Sequence, residues 1–187
     1  MCATRATNRR AGRPKNPIER STLLRIARGA FAESGYTATS MSALAQRAGL
    51  SKASLFHHFP SKEALYHATL EEPVADLGQL IEQARLDEGS YRKRLDRLSR
   101  LVARYLGSHE DAGKLLLREL LDRGPFIQQG GEIFVQGVLE AIVAFLEAGM
   151  DAGAFARQDA RQLALSITGL HLFYFAADDI AAPLVGR

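Results

Sequence analysis

The sequence has 187 residues, 47% of them apolar, enough for one domain or for a small domain joined to a larger one. Its formal charge of +3 hides a split: residues 1–66 hold eleven Lys plus Arg against three acidic residues (net +8), and residues 67–187 hold thirteen against eighteen (net −5). That asymmetry points to a front that meets nucleic acid or another anionic surface, while the single cysteine, Cys2, excludes a disulfide framework and a cysteine zinc site.

Residues 1–15, MCATRATNRRAGRPK, carry five basic and no acidic residues and read as a disordered basic arm. The arm lacks the apolar run of a signal peptide, so a cytoplasmic protein is expected. Order is expected from Asn16, a helix cap, with Pro17 at the first helical position and Glu19 as a capping-box carboxylate. Leu23, Ala27, Ala30, Phe31 and Ser34 then fall on one helical face. Gly35 is the expected left-handed end, with Tyr36 folding back. A short second helix follows, capped by Thr39 or Ser40, with Met41, Leu44, Ala45 and Ala48 inward and Gly49 closing it. Ser51 caps a third helix, KASLFHH, which stops near Pro60. Ser61 caps the fourth, in which Pro73 predicts a kink.

The remainder reads as helices without strand alternation or repeats. The spacing predicts helices over about 90–106, 110–122, 131–150 and 159–179, with GPF at 124–126 breaking the chain. The stretch 162–177 is uncharged for 16 residues, short of the roughly 20 that span a bilayer. A buried helix, and no membrane partner, is expected there.

Two short helices joined by a tight glycine-bearing turn form a helix-turn-helix pattern. Gly49 permits the turn, Leu55 and Phe59 lock the third helix inward, and the other face is free to enter a major groove. The adjacent pair His57 and His58 sits on that helix. Neighbours on a helix stand about 100° apart, so the two do not chelate one metal easily. No oriented partner supports a catalytic imidazole either.

On these residues the sequence resembles the TetR/AcrR family of transcriptional regulators. The likeness is carried by Ala27 and Phe31, Gly35-Tyr36, Thr39, Leu44-Ala45, Ala48-Gly49-Leu50-Ser51, Leu55-Phe56, His58-Phe59, and Ser61-Lys62-Glu63 with Leu65. It implies an all-α fold: an N-terminal three-helix helix-turn-helix domain at 16–62 and a C-terminal helical ligand-binding and dimerisation bundle at 63–187. It also implies double-stranded operator DNA as a partner, a small-molecule effector of unknown identity, and no cofactor or metal. Phe56 stands where the family usually has a tyrosine whose hydroxyl touches phosphate, so that bond is lost.

Geometry and resemblance together nominate DNA contacts. Thr39 and Ser40 begin the second helix; Ser51, Lys52, Ala53 and Ser54 begin the third. Phe56, His57 and His58 lie further along it, and Lys62 begins the fourth. In the arm, Arg9, Arg10 and Arg13 suit phosphate attraction or, around Gly12-Arg13-Pro14, an A·T-rich minor groove. Half-sites alone bind weakly, so a homodimer on a palindromic operator is expected. Its interface is expected from Phe134, Val138, Ile142 and Phe145 on one helix and Leu163, Ile167 and Leu170 on the next. Arg118, Glu119, His171 and Tyr174 are polar groups in apolar runs and are the candidate ligand contacts. The favoured reading is a repressor released from its operator by a small ligand. An activator or global regulator without a ligand is the alternative, and an enzyme lacks converging titratable groups in this sequence.

Overall fold

The computed structural model describes residues 18–86 and 88–177. The elements run α1 (Arg20–Ala38), α2 (Met41–Arg47), α3 (Lys52–His58), α4 (Lys62–Leu86), α5 (Tyr91–Ser108), α6 (Glu110–Asp122), α7 (Glu132–Asp151) and α8 (Ala160–Ala176). A π-helical turn, Ile127–Gly131, leads into α7. Among the described residues there is no strand.

The helix starts follow local chemistry. Ser40 Oγ accepts from the Ala43 N–H at 3.1 Å, Ser51 Oγ from Ser54 at 3.0 Å and Ser61 Oγ from Ala64 at 3.0 Å. Each satisfies an orphan first-turn donor. At the α2 end, Gly49 takes φ +66° and the Leu50 N–H reaches back to the Ala45 carbonyl at 2.8 Å, the bonding of a Schellman stop. The start of α1 differs from expectation. The helix begins at Arg20, and the Glu19 side chain makes no capping bond. Asn16 and Pro17 lie outside the described residues. Gly35 also departs from a left-handed stop: its φ of +77° comes with ψ of 170°, a region essentially reserved for glycine. A Cβ there would stand 2.7 Å from Arg118 Nη1, so the Arg118 head would have to shift to admit one, and the positive φ alone already favours glycine.

One hydrophobic core runs through the molecule. Leu23, Ala27, Phe31, Leu44, Leu55 and Phe59 close the first three helices. The same cluster continues through Leu65, Tyr66 and Leu70 of α4 to Leu115 and Leu116 of α6 and to Phe126. Phe31 and Tyr36 both set their rings 4.9 Å from that of Tyr66. α4 runs through the buried Pro73 as one helix. A second cluster, around Phe145, Leu146 and Ala164, joins α7 to α8 and takes in Tyr91 and Leu95 from α5. The stretch Ile127–Asp151 is long and apolar enough to cross a membrane, yet here α7 packs against α4 and α8.

Polar bonds tie the layers where the core is thin. Arg28 of α1, 4% exposed, donates from Nε to Asp111 Oδ2 at 3.0 Å and from Nη1 to Glu72 Oε2 at 3.3 Å. Tyr105 donates to Asp76 Oδ2 at 3.0 Å, and Tyr66 donates to Glu119 Oε2 at 2.5 Å. Burial, reinforced by those carboxylate hydrogen bonds, pushes both phenols well above the ordinary tyrosine value of 10.0. A raised acid constant means the folded state holds the proton more tightly than the unfolded chain. The stabilisation is therefore complete below pH 10 and is lost as pH rises beyond it. Urea midpoints measured at roughly pH 9 and pH 11 are expected to fall across that interval, and to fall less in Tyr66→Phe. Equal slopes in the two proteins would remove Tyr66 from the account.

Candidate DNA-binding face and ligand chamber

α3 buries Leu55 and turns Lys52, Ala53, Phe56, His57 and His58 outward, all exposed. Its start is closed by a hydroxyl pair, Ser51 Oγ and Ser54 Oγ at 2.9 Å. Lys52 Nζ lies 5.9 Å from the Phe56 ring centroid. The His57 and His58 rings are 6.3 Å apart, and both are surface groups able to donate to phosphate or base edges. Ser40, at the α2 cap, is exposed as well. So seven of the expected contacts lie exposed along one recognition helix and the cap before it, with Ser54 half-buried at the same helix start.

Two expected contacts turn inward instead. Thr39 is buried at 6% exposure and its hydroxyl donates to the Gly35 carbonyl at 2.8 Å. Lys62 donates from Nζ to the Tyr36 carbonyl at 2.7 Å and the Thr39 carbonyl at 3.0 Å, 4.1 Å from the Tyr36 ring centroid. Both hold the α1–α2 loop in place, a positioning role rather than a reach toward phosphate. Arg9, Arg10 and Arg13 lie outside the described residues.

Further along the chain, α4, α5, α7 and α8 enclose an apolar chamber. Leu77 and Ile81 form one wall, Leu95, Leu98, Ser99 and Val102 the next, Val138, Ile142 and Phe145 the third, and Ile167, Thr168, His171 and Leu172 the last. The cavity volume is about 80 Å³, smaller than the several hundred Å³ of a fully formed small-molecule site, so a ligand that enters must also use the adjoining space. A second apolar groove of about 300 Å³ adjoins it, sharing Leu77, Val138, Thr168 and Leu172 and lined further by Leu116, Leu120 and Leu165.

Of the candidate ligand contacts, only His171 lines the chamber. Glu119, 2% exposed, accepts from the Tyr66 hydroxyl and, at 2.9 Å, from the Ile127 N–H, so it locks α6 to α4 and to the π-helical turn. Arg118 packs against Gly35. Tyr174 is half-buried near the end of α8, outside the chamber lining. The dimer stripe is corrected in the same way. Val138, Ile142, Phe145 and Ile167 face the chamber, and Leu163 packs beside Phe145 in the second core cluster. Phe134 and Leu170 do stand exposed, joined by Ile133, Leu165 and Phe173. α7 is apolar on both faces, so its periodicity alone does not say which face is inside.

Comparison with known proteins decides the family. Residues 23–69 match the model of bacterial regulatory proteins of the tetR family, and residues 92–187 match the tetracyclin repressor-like C-terminal domain. The chain belongs to the TetR family.

It is thus a member of a family of bacterial regulatory proteins. Among similar TetR-family proteins, the transcriptional activator FasR of Mycolicibacterium smegmatis is 40% identical over 88 residues, 47% of this chain and 40% of FasR. The chain therefore matches well under half of FasR's length. The regulator RutR of Escherichia coli is 24% identical over 149 residues, 80% of this chain and 70% of RutR. In structure, PfmR from Thermus thermophilus superposes with a TM-score of 0.72 at 27% identity, covering 82% of this chain and 84% of PfmR. AibR, solved in complex with isovaleryl coenzyme A and operator DNA, shares the fold at a TM-score of 0.69 and 19% identity, over 83% of this chain and 84% of AibR. The TetR-family chamber wall on α5 was legible as a helix stripe, through Leu95, Leu98 and Val102. Thr168 was not: a threonine in an apolar helix carries no mark of the cavity it borders.

Proposed function

We propose that this regulator acts in the cytoplasm as a homodimeric repressor that leaves a palindromic operator when a small apolar molecule fills the chamber. The chamber itself carries the reading. α4 supplies two of its wall residues, Leu77 and Ile81. The same helix begins at Lys62, which bonds the α1–α2 loop, and continues through Leu65 and Tyr66 in the core beneath α1 and α3. A ligand that prefers one placement of α4 thereby biases the spacing of two recognition helices. Ser40, Ser51, Lys52, Ala53, Ser54, Phe56, His57 and His58 form the proposed contact set, with the arm arginines adding sequence-independent attraction. The exposed apolar residues Phe134, Leu165, Leu170 and Phe173 supply the proposed dimer face. AibR, of the same fold, was captured with both an acyl thioester and operator DNA, which supports a ligand-responsive reading. The activator reading is favoured by one observation, the match to FasR.

The test is binding to the duplex immediately upstream of the gene, beside a shuffled duplex, over a salt series. Selective binding that falls steeply with salt is expected. A reporter under that duplex should rise when the gene is deleted; a fall would establish the activator. In Val102→Phe the added ring occupies the chamber, and operator affinity is expected to become about tenfold weaker or lose its response to effector. Wild-type affinity with a full response would exclude the chamber as the effector site.

A further inference from the structure

The chamber lining contains no Asp, Glu, Lys or Arg. Its polar side chains are Ser99, Thr168 and His171. An ion placed there would lose its hydration without a fixed counter-charge, which disfavours charged molecules. The polar groups present are more particular. Thr168 Oγ1 is cut off from solvent and has no hydrogen-bond partner in the protein. Orphaned buried hydroxyls are uncommon, and one that borders a cavity calls for a partner from outside the chain. His171 Nδ1 lies 2.8 Å from the Ile167 carbonyl oxygen. A carbonyl only accepts, so Nδ1 carries a proton, and in that tautomer of the neutral ring the lone pair is on Nε2. Thr168 and His171 are three apart on α8 and so share a face. One is free to donate, and the other needs to accept.

We propose that the effector is an uncharged, largely apolar molecule bearing a hydroxyl, held between Thr168 and His171. The ligand oxygen accepts from the Thr168 hydroxyl, and its proton goes to His171 Nε2. An ester, ether or ketone satisfies only the first bond; a carboxylate satisfies neither the missing proton nor the missing counter-charge. Apolar space lies on both sides of Thr168, because that residue borders the chamber and the adjoining groove together. An aliphatic or ring-bearing alcohol therefore fits better than a small polar one. The inference rests on the chamber being the effector site.

Calorimetric titration of the full chain with decanol, methyl nonyl ether and decanoate separates the cases. Decanol is expected to bind about tenfold more tightly than either of the others. In Thr168→Val decanol and the ether should weaken together, by about threefold to tenfold, because both accept from that hydroxyl; Thr168→Ser should restore both. His171→Phe should cut decanol's advantage over the ether to about threefold or less, with the ether's own affinity little changed. Tightest binding by decanoate, or an alcohol preference over the ether that survives the Phe variant, overturns the hydroxyl inference while leaving the chamber reading intact. If none of the three binds, the chamber reading falls with it.

Discussion

Glu119→Leu is expected to lower the unfolding free energy by about 3–5 kcal/mol, the largest loss of any single polar substitution in the chain. The carboxylate is 2% exposed and accepts from two groups, the Tyr66 hydroxyl and the Ile127 N–H. Leucine fills the space and leaves both donors buried without an acceptor, each at a cost of about 1–3 kcal/mol. Glu119→Gln keeps an acceptor oxygen and should cost less, about 1–2 kcal/mol. The second site identifies the cause. Adding Tyr66→Phe to Glu119→Leu removes one orphaned donor, so the double variant should be more stable than the sum of the single changes. Urea unfolding followed by circular dichroism measures all four proteins. A Leu variant within about 0.5 kcal/mol of the parent contradicts the assignment.

Lys52→Glu should produce the largest loss of DNA affinity. Lys52 is exposed at the start of the recognition helix, and its ammonium stands 5.9 Å from the Phe56 ring centroid. Folding should be unaffected. In a dimer the change appears in both half-sites, replacing two attractions for phosphate with two repulsions. Operator affinity at low salt should drop by about a hundredfold, and the slope of log affinity against log salt should shrink by about two. The shuffled duplex should weaken in step, because phosphate carries no sequence. His57→Ala should behave differently if the imidazole reaches a base edge: a loss of about 1–3 kcal/mol on the native duplex and little on the shuffled one. Full-strength binding by the Lys52→Glu protein would detach α3 from the interface.

The helix starts were the most legible part of this molecule because capping is local. Ser40, Ser51 and Ser61 each bond an N–H three residues on, and the information sits within that span. The recognition helix was legible for the same reason, since Leu55 and Phe59 alternate with polar neighbours over a single short element. What could not be read depended on distant partners. Thr39 and Lys62 look like free surface groups until the carbonyls at the end of α1 come within reach. Glu119 resembles a ligand contact until Tyr66, 53 positions earlier, is seen to donate to it. The stripe through Val138, Ile142 and Phe145 does point inward, but toward a cavity walled by three other helices rather than toward a second copy. Periodicity reports that a face is buried; it carries no information about what buries it.

The contact between Gly35 and Arg118 bears on how such regulators are recombined. A graft that joined residues up to the start of α4 to the body of another regulator would set a bare α1 terminus against whatever side chain the new body carries at the place of Arg118. A shorter residue there leaves a gap over the positive-φ glycine, and a donor head exchanged in the other direction, with any Cβ at that point, meets the guanidinium at 2.7 Å. When reading heads and sensing bodies of this design are exchanged, the end of α1 and the Arg118 position of α6 are therefore a pair to match.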